Sequence, residues 1–127
     1  MKNMYAILSM FFIITSCSKE ETKQQENSIY SQWSLIKYEP GFSATENFSS
    51  EQITWTFEQA GVIQVVVDIS VNTPPIKTIG EYNFSIVENT ISIDNIEYDF
   101  SINKNTLILS DDPSSDGFKA TFTRRIE

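Results

Sequence analysis

From Ile29 onward, apolar and polar residues alternate in short runs separated by Gly, Pro, Asn and Asp, and no stretch carries the spacing of an amphipathic helix. The clearest run is Ile53-Thr54-Trp55-Thr56-Phe57-Glu58. Strict alternation there predicts a strand with Ile53, Trp55 and Phe57 on the core face and Thr54, Thr56 and Glu58 facing water. Ala60-Gly61 supplies the positive-φ position of a tight hairpin, and the chain returns over Val62–Ile69 with Ile63, Val65, Val67 and Ile69 inward.

The same reasoning extends in both directions. Upstream, Gln32–Tyr38 predicts a strand with Trp33 and Leu35 on one side and Ser34, Ile36 and Tyr38 on the other. The connection Pro40–Ser50 is polar but holds Phe42 and Phe48, and a long loop with two aromatics is expected to fold back on the body. Downstream, Pro74-Pro75 ends the preceding strand because prolines donate no ladder hydrogen bond. Thr78–Val87 follows with Tyr82, Phe84 and Ile86 on one face and Gly80 as a bulge or bend. Thr90–Ile93, Ile96–Ile102, Thr106–Ser110 and Phe118–Arg125 complete the set, joined by Glu88-Asn89, Asp94-Asn95, Asn103-Lys104-Asn105 and the polar loop Asp111–Gly117. Ile96, Tyr98, Phe100 and Ile102 oppose Glu97, Asp99 and Ser101, while Phe118, Ala120 and Phe122 oppose Lys119, Thr121 and Thr123.

Eight strands with short sequential links and no crossover helix specify an all-β antiparallel up-and-down meander, either a barrel or a two-layer sandwich. Closure into a small barrel is favoured because it removes exposed strand edges.

The first residues follow another logic. Met1-Lys2-Asn3 carries one positive charge, and Met4–Ile14 is mostly apolar. That run has the length of a signal-peptide core and falls short of the roughly 20 residues a spanning helix requires. Ile14-Thr15-Ser16-Cys17 resembles the lipobox of bacterial lipoproteins: small residues admit the peptidase, and the cysteine thiol is the group that is alkylated. This divides the chain into a signal peptide (1–16), a lipidated Cys17 with a disordered polar tether (17–28) and one β domain (29–127). Cys17 is the only cysteine, so no intrachain disulfide forms. Acyl chains contribute about 0.8 kcal/mol per buried methylene, and the two or three chains that bacterial lipoproteins carry are expected to anchor stably without a membrane-inserting protein surface. Ser18-Lys19-Glu20-Glu21 resembles the lysine-plus-acidic signal that sends Bacteroidetes lipoproteins to the outer face of the outer membrane, although a solvated linker has the same composition. The expected location is the outer membrane, lipid-anchored, with surface display and a periplasmic-facing attachment both open.

Charge narrows the partners. The full chain carries −8, and loss of Lys2 with the leader takes it to −9. Nucleic acid and anionic headgroups are poor partners for such an overall charge, which reads as solubility and mutual repulsion on a crowded membrane.

The strand pattern resembles the lipocalin-like domains of small Bacteroidetes lipoproteins. The residues that carry the likeness are Ser31-Gln32-Trp33-Ser34-Leu35, Ile53–Phe57, Asn105-Thr106-Leu107-Ile108-Leu109 and Phe122-Thr123-Arg124-Arg125. The resemblance implies that Trp33 closes the bottom of the barrel and that Arg124 packs over it as a cation on an aromatic face. The glycine that precedes this tryptophan in the family is replaced here by Ser31 and Gln32.

Chemistry is sparse. The chain has no histidine, which removes the usual general base, nucleophile activator and commonest metal ligand, and its four glycines form no phosphate loop. Glu97 and Asp99 share one strand face, which reads as a water face rather than an acid/base pair. Asp111–Gly117 offers oxygens for calcium but lacks the spacing of a calcium loop and its distal glutamate, so it reads as a solvated turn. The expectation is a protein that is not an enzyme and holds neither metal nor cofactor. Trp55, Phe57, Tyr82, Phe84, Tyr98 and Phe100 are the residues that would line a site for a small hydrophobic ligand. In an eight-stranded barrel such bulky side chains either fill the interior or surround one small cargo. Two readings follow: a membrane-anchored module that binds a small hydrophobic ligand, or a structural or protein-interaction lipoprotein of the envelope with a solid core. A large open cavity would favour the first, and a filled barrel with Phe42 and Phe48 exposed the second.

Overall fold

The computed structural model describes residues 28–111 and 117–126. They form nine strands: β1 Gln32–Glu39, β2 Glu46–Asn47, β3 Ile53–Glu58, β4 Val62–Val67, β5 Gly80–Val87, β6 Thr90–Ile93, β7 Ile96–Asn103, β8 Thr106–Ser110 and β9 Lys119–Arg124. Each of β3 to β9 pairs antiparallel with its sequence neighbour, and β1 pairs with both β3 and β9, which closes an eight-stranded up-and-down barrel. The sandwich alternative is thereby excluded. Among the described residues no helix is long and apolar enough to cross a membrane.

Meander topology sorts the turns between two ends. At the end where β1 starts lie residues 28–31, the turns after β3, β5 and β7, and the residues after β9; this is called the lower end. The connections after β1, β4, β6 and β8 lie at the upper end.

Period-two alternation produces the core. Trp33, Leu35, Ile53, Trp55, Ile63, Ile91, Ile93, Leu107, Ala120 and Phe122 each have 0% exposure. Phe57, Val65, Tyr98 and Leu109 are also buried. Facing positions match across the ladders, as in Trp33↔Trp55, Leu107↔Phe122 and Ile91↔Tyr98. The β3–β4 turn needs Gly61, whose φ is 84° and whose carbonyl accepts from the Phe84 amide at 2.9 Å. Asp94 and Asn95 both have positive φ (52° and 68°), the conformation whose twist matches a two-residue hairpin.

Several positions depart from simple alternation, each for a local reason. Ser34 and Thr54 are buried although they point away from the barrel axis, because the β1–β3 connection lies over them: Ser34 Oγ donates to the Ser50 carbonyl at 2.6 Å. That connection also adds β2, which pairs Lys37↔Asn47 and Tyr38↔Glu46. Within it Phe48 packs on the core, whereas Phe42 is 86% exposed. Tyr38 faces the core rather than sharing a side with Ser34, since the β1–β9 register shifts between Leu35 and Lys37 and the extra residue inverts the pleat. β4 ends at Val67, two residues before the expected end, where Asp68 turns the chain by accepting from the Ser70 amide at 2.9 Å; Ile69 is therefore exposed, not inward. Gly80 is the first residue of β5 rather than a mid-strand bulge, and Ile79 before it is exposed. Ile96, opposite Ile93 at the end of the β6–β7 ladder, is also exposed.

Candidate functional site

The lower end is closed by a tryptophan with two partners. Trp33 is fully buried, and its indole N–H donates to the Ile29 carbonyl at 2.9 Å. The guanidinium carbon of Arg124 lies 4.3 Å from the Trp33 ring centroid, and Nη2 of Arg124 donates to the Lys104 carbonyl at 3.2 Å. The register Trp33↔Arg124 between β1 and β9 places both side chains on the inner face. Lys104 sits at φ 56°, which aims its carbonyl at the arginine across the β7–β8 turn. Burial lowers the Arg124 pKa from its ordinary value. Ser28, Tyr30, Ser31, Gln59 and Arg124 line a groove of about 300 Å³ outside this closure.

Above it lies an aromatic column. Trp55 packs on Phe122 with ring centroids 5.0 Å apart and on Phe57 at 6.2 Å, and Phe57 meets Phe84 edge-on at 5.3 Å. Of the six residues expected to line a ligand site, Trp55, Phe57 and Tyr98 are buried, while Tyr82, Phe84 and Phe100 are half-buried and pack against the core. A side chain beside a void that admits water presents surface that water can touch. Trp55 and its neighbours Trp33 and Phe122 present none, so the space around them is filled. The Trp55 indole N–H finds no hydrogen-bond acceptor among the described residues.

At the upper end Phe118 contacts Tyr38 (5.5 Å) and Tyr98 (5.7 Å). Burial, then the Glu46 carboxylate, raises the Tyr38 pKa; burial, then Asp111 and Tyr38, raises that of Tyr98. The β4–β5 connection covers the mouth: Val71 and Ile76 pack on the core and Pro75 is buried. Ile76 has φ 70°, and the Lys77 amide donates to the Pro75 carbonyl at 2.8 Å. That is a γ-turn of the rare positive-φ kind, strained for a β-branched residue. The outer side of this plug is a groove of about 380 Å³ lined by Val67, Ile69, Val71, Pro74 and Ile79 with Asp68, Asn72 and Thr78.

Other expected positions fall elsewhere. Glu97 and Asp99 are exposed, and with Tyr98, Thr90 and Asp111 they line an open groove of about 240 Å³. No cluster of three or more metal-ligating side chains occurs among the described residues. Cys17 and the middle of the Asp111–Gly117 loop lie outside those residues. Tyr38, Phe118 and Ile76 escaped the sequence reading of the site; the bulge inverting β1 has no signature in the alternation, though the double proline before Ile76 marks a constrained turn. No family model matches the chain, and a search of curated proteins finds no match.

Proposed function

We propose that this chain is a lipid-anchored, non-catalytic protein of the bacterial envelope whose barrel is a solid structural or protein-interaction module. The observation that carries this is the filled interior: ten inward side chains at 0% exposure, including both tryptophans. A carrier of the same architecture keeps room for cargo at this level. Anchoring rests on the lipobox at Cys17 and the apolar leader before it. The absence of histidine from the whole sequence, and the lone cysteine, support a non-catalytic role. The Ser18–Glu21 signal supports outer-membrane placement with display at the surface.

The small-ligand reading retains two supporting features, the apolar groove beside the upper plug and a groove of about 580 Å³ bordered by Phe100 and Ile102. Both are open to solvent rather than enclosed by the strands, so they fit a shallow contact better than an enclosed cargo.

Anchoring is tested by expressing the full chain in a lipoprotein-processing bacterium. The wild type should fractionate with membranes and carry a diacylglyceryl mass at Cys17; Cys17→Ser should lose both. A soluble wild type without that mass overturns the anchoring reading.

A further inference from the structure

Charge is unevenly placed along the chain. Ten of the 17 side-chain carboxylates lie in the four upper connections or within three residues of them, against three cations, Lys37, Lys77 and Lys119, a formal charge of −7. The lower end is balanced, with Lys104, Arg124 and Arg125 against Glu58, Glu88 and Glu127. The excess negative charge therefore belongs to the end that the β4–β5 connection covers.

That connection also presents apolar surface which the fold leaves uncovered. Ile69 is 97% exposed and Ile79 65%, and both line the upper groove of about 380 Å³ with Val67, Val71 and Pro74. Asp68 is the charged residue of this lining, while Lys77 sits outside it, 5.2 Å from the Tyr82 ring centroid. The rim is fastened in place. The Asp68 carbonyl accepts from the Val71 amide at 3.0 Å, its carboxylate accepts from the Ser70 amide at 2.9 Å, and Gln52 Nε2 donates to Ser70 Oγ at 3.3 Å. Pro74 and Pro75 stiffen the chain beyond it. A partner that settles here loses little free energy to ordering of the loop.

We propose that the upper groove docks a basic segment of a partner protein, which seats an apolar side chain against Ile69 and Ile79 and turns its lysines or arginines toward the surrounding carboxylates. This rests on the reading of the barrel as a protein-interaction module, and adds to it the place and the chemistry of the partner. The apolar anchor supplies most of the affinity, and the charged rim steers the approach and selects the sign of the partner. Charge excludes the other occupants. A second copy would bring two ends of −7 together, and an anionic bilayer would meet the same repulsion. Residues preceding Ser28 join the barrel at the opposite end, where the Ile29 carbonyl accepts from Trp33, so an anchor at Cys17 leaves the groove accessible.

The test uses the full processed chain and a defined probe, an octapeptide in which lysine alternates with a leucine analogue carrying a photoreactive diazirine. A counterpart with glutamate in place of lysine is the control, and crosslinked positions are mapped by mass spectrometry. Crosslinks should concentrate between Val67 and Ile79 and be about tenfold fewer with the glutamate peptide, the combined weight of several exposed charge pairs. The Ile69→Ser/Ile79→Ser variant, with its Tm unchanged because both side chains are exposed, should lower them by about tenfold again. Crosslinks that are absent, spread evenly over the barrel, equal for the two peptides or undiminished in the variant overturn the proposal and leave the interaction-module reading standing. The native mass of the same sample separates the two: a small molecule retained inside the barrel overturns that reading and this proposal with it.

Discussion

The half of the barrel built from β1, β3, β4, β8 and β9 and the wing built from β5, β6 and β7 share one sequence pattern and differ in how that pattern is used. In β3, Ile53, Thr54, Trp55 and Phe57 are buried; in β5 no residue is. The wing buries Ile91, Ile93 and Tyr98, but its other inner positions are partly open to water: Ile86 is 36% exposed, and Phe100 and Ile102 border a groove of about 580 Å³ beneath the short β6. The difference comes from what covers each half. The β1–β3 connection lies over β1 and β3, and Trp33 with Ile29 and Arg124 seals the barrel below them. β6 spans only four residues, so it leaves the lower part of β7 without a neighbour on that side. Alternation therefore specifies the ladder, and covering elements decide how much each rung contributes.

The comparison is most sharply broken by truncation. Phe122→Ala removes a side chain with no exposed surface from the sealed half and should cost about 3–5 kcal/mol in urea unfolding. Ile86→Ala in the wing should cost less than about 1 kcal/mol, since much of its side chain already meets water. Similar costs at the two positions would contradict the division.

Within the sealed half, the two tryptophans separate packing from polar satisfaction. Trp33→Phe strands the Ile29 carbonyl and leaves a smaller, weaker ring under Arg124, so it should cost about 2–4 kcal/mol. Trp55→Phe deletes a donor that has no acceptor among the described residues, so its cost should be smaller by about 1 kcal/mol. Paired denaturation curves check the order. Arg124→Gln should cost less in the Trp33→Phe background than in the wild type, because the indole it stacks on is replaced by a smaller ring while its contact to the Lys104 carbonyl is lost in both.

The smallest expected effect is a pH dependence at the upper end. Tyr38 and Tyr98 have folded pKa values above the ordinary tyrosine value, both chiefly through burial. A raised folded pKa means the folded state holds its proton more tightly than the unfolded one. Their stabilising contribution is complete below about pH 10, the unfolded tyrosine value, and is lost as pH rises through the folded values. Thermal melts above pH 10 should show a decline that the Tyr38→Phe/Tyr98→Phe double variant flattens.

Much of this fold was legible in the sequence. The eight barrel strands follow from alternation and turn residues, with ends displaced by one or two positions. What alternation does not carry is context. Nothing local distinguishes Thr54, which a loop covers, from Thr56 two residues on, which stays half-exposed. The register shift near Ile36 is set by β9 across the ladder, not by the β1 residues themselves. At the site, Trp33 and Arg124 were legible from the family likeness, and the structure brings them together. The six aromatic positions expected around a ligand were legible as inward or near-inward, but their residue types do not reveal whether the space between them is occupied.

That occupancy is the central claim, and native mass spectrometry of the protein purified gently from its own host tests it most directly. A filled barrel predicts the mass of the processed chain alone, with no thermal shift against a panel of lipids and small apolar metabolites. A small molecule retained at near one-to-one stoichiometry would contradict the solid interior and return the chain to the carriers.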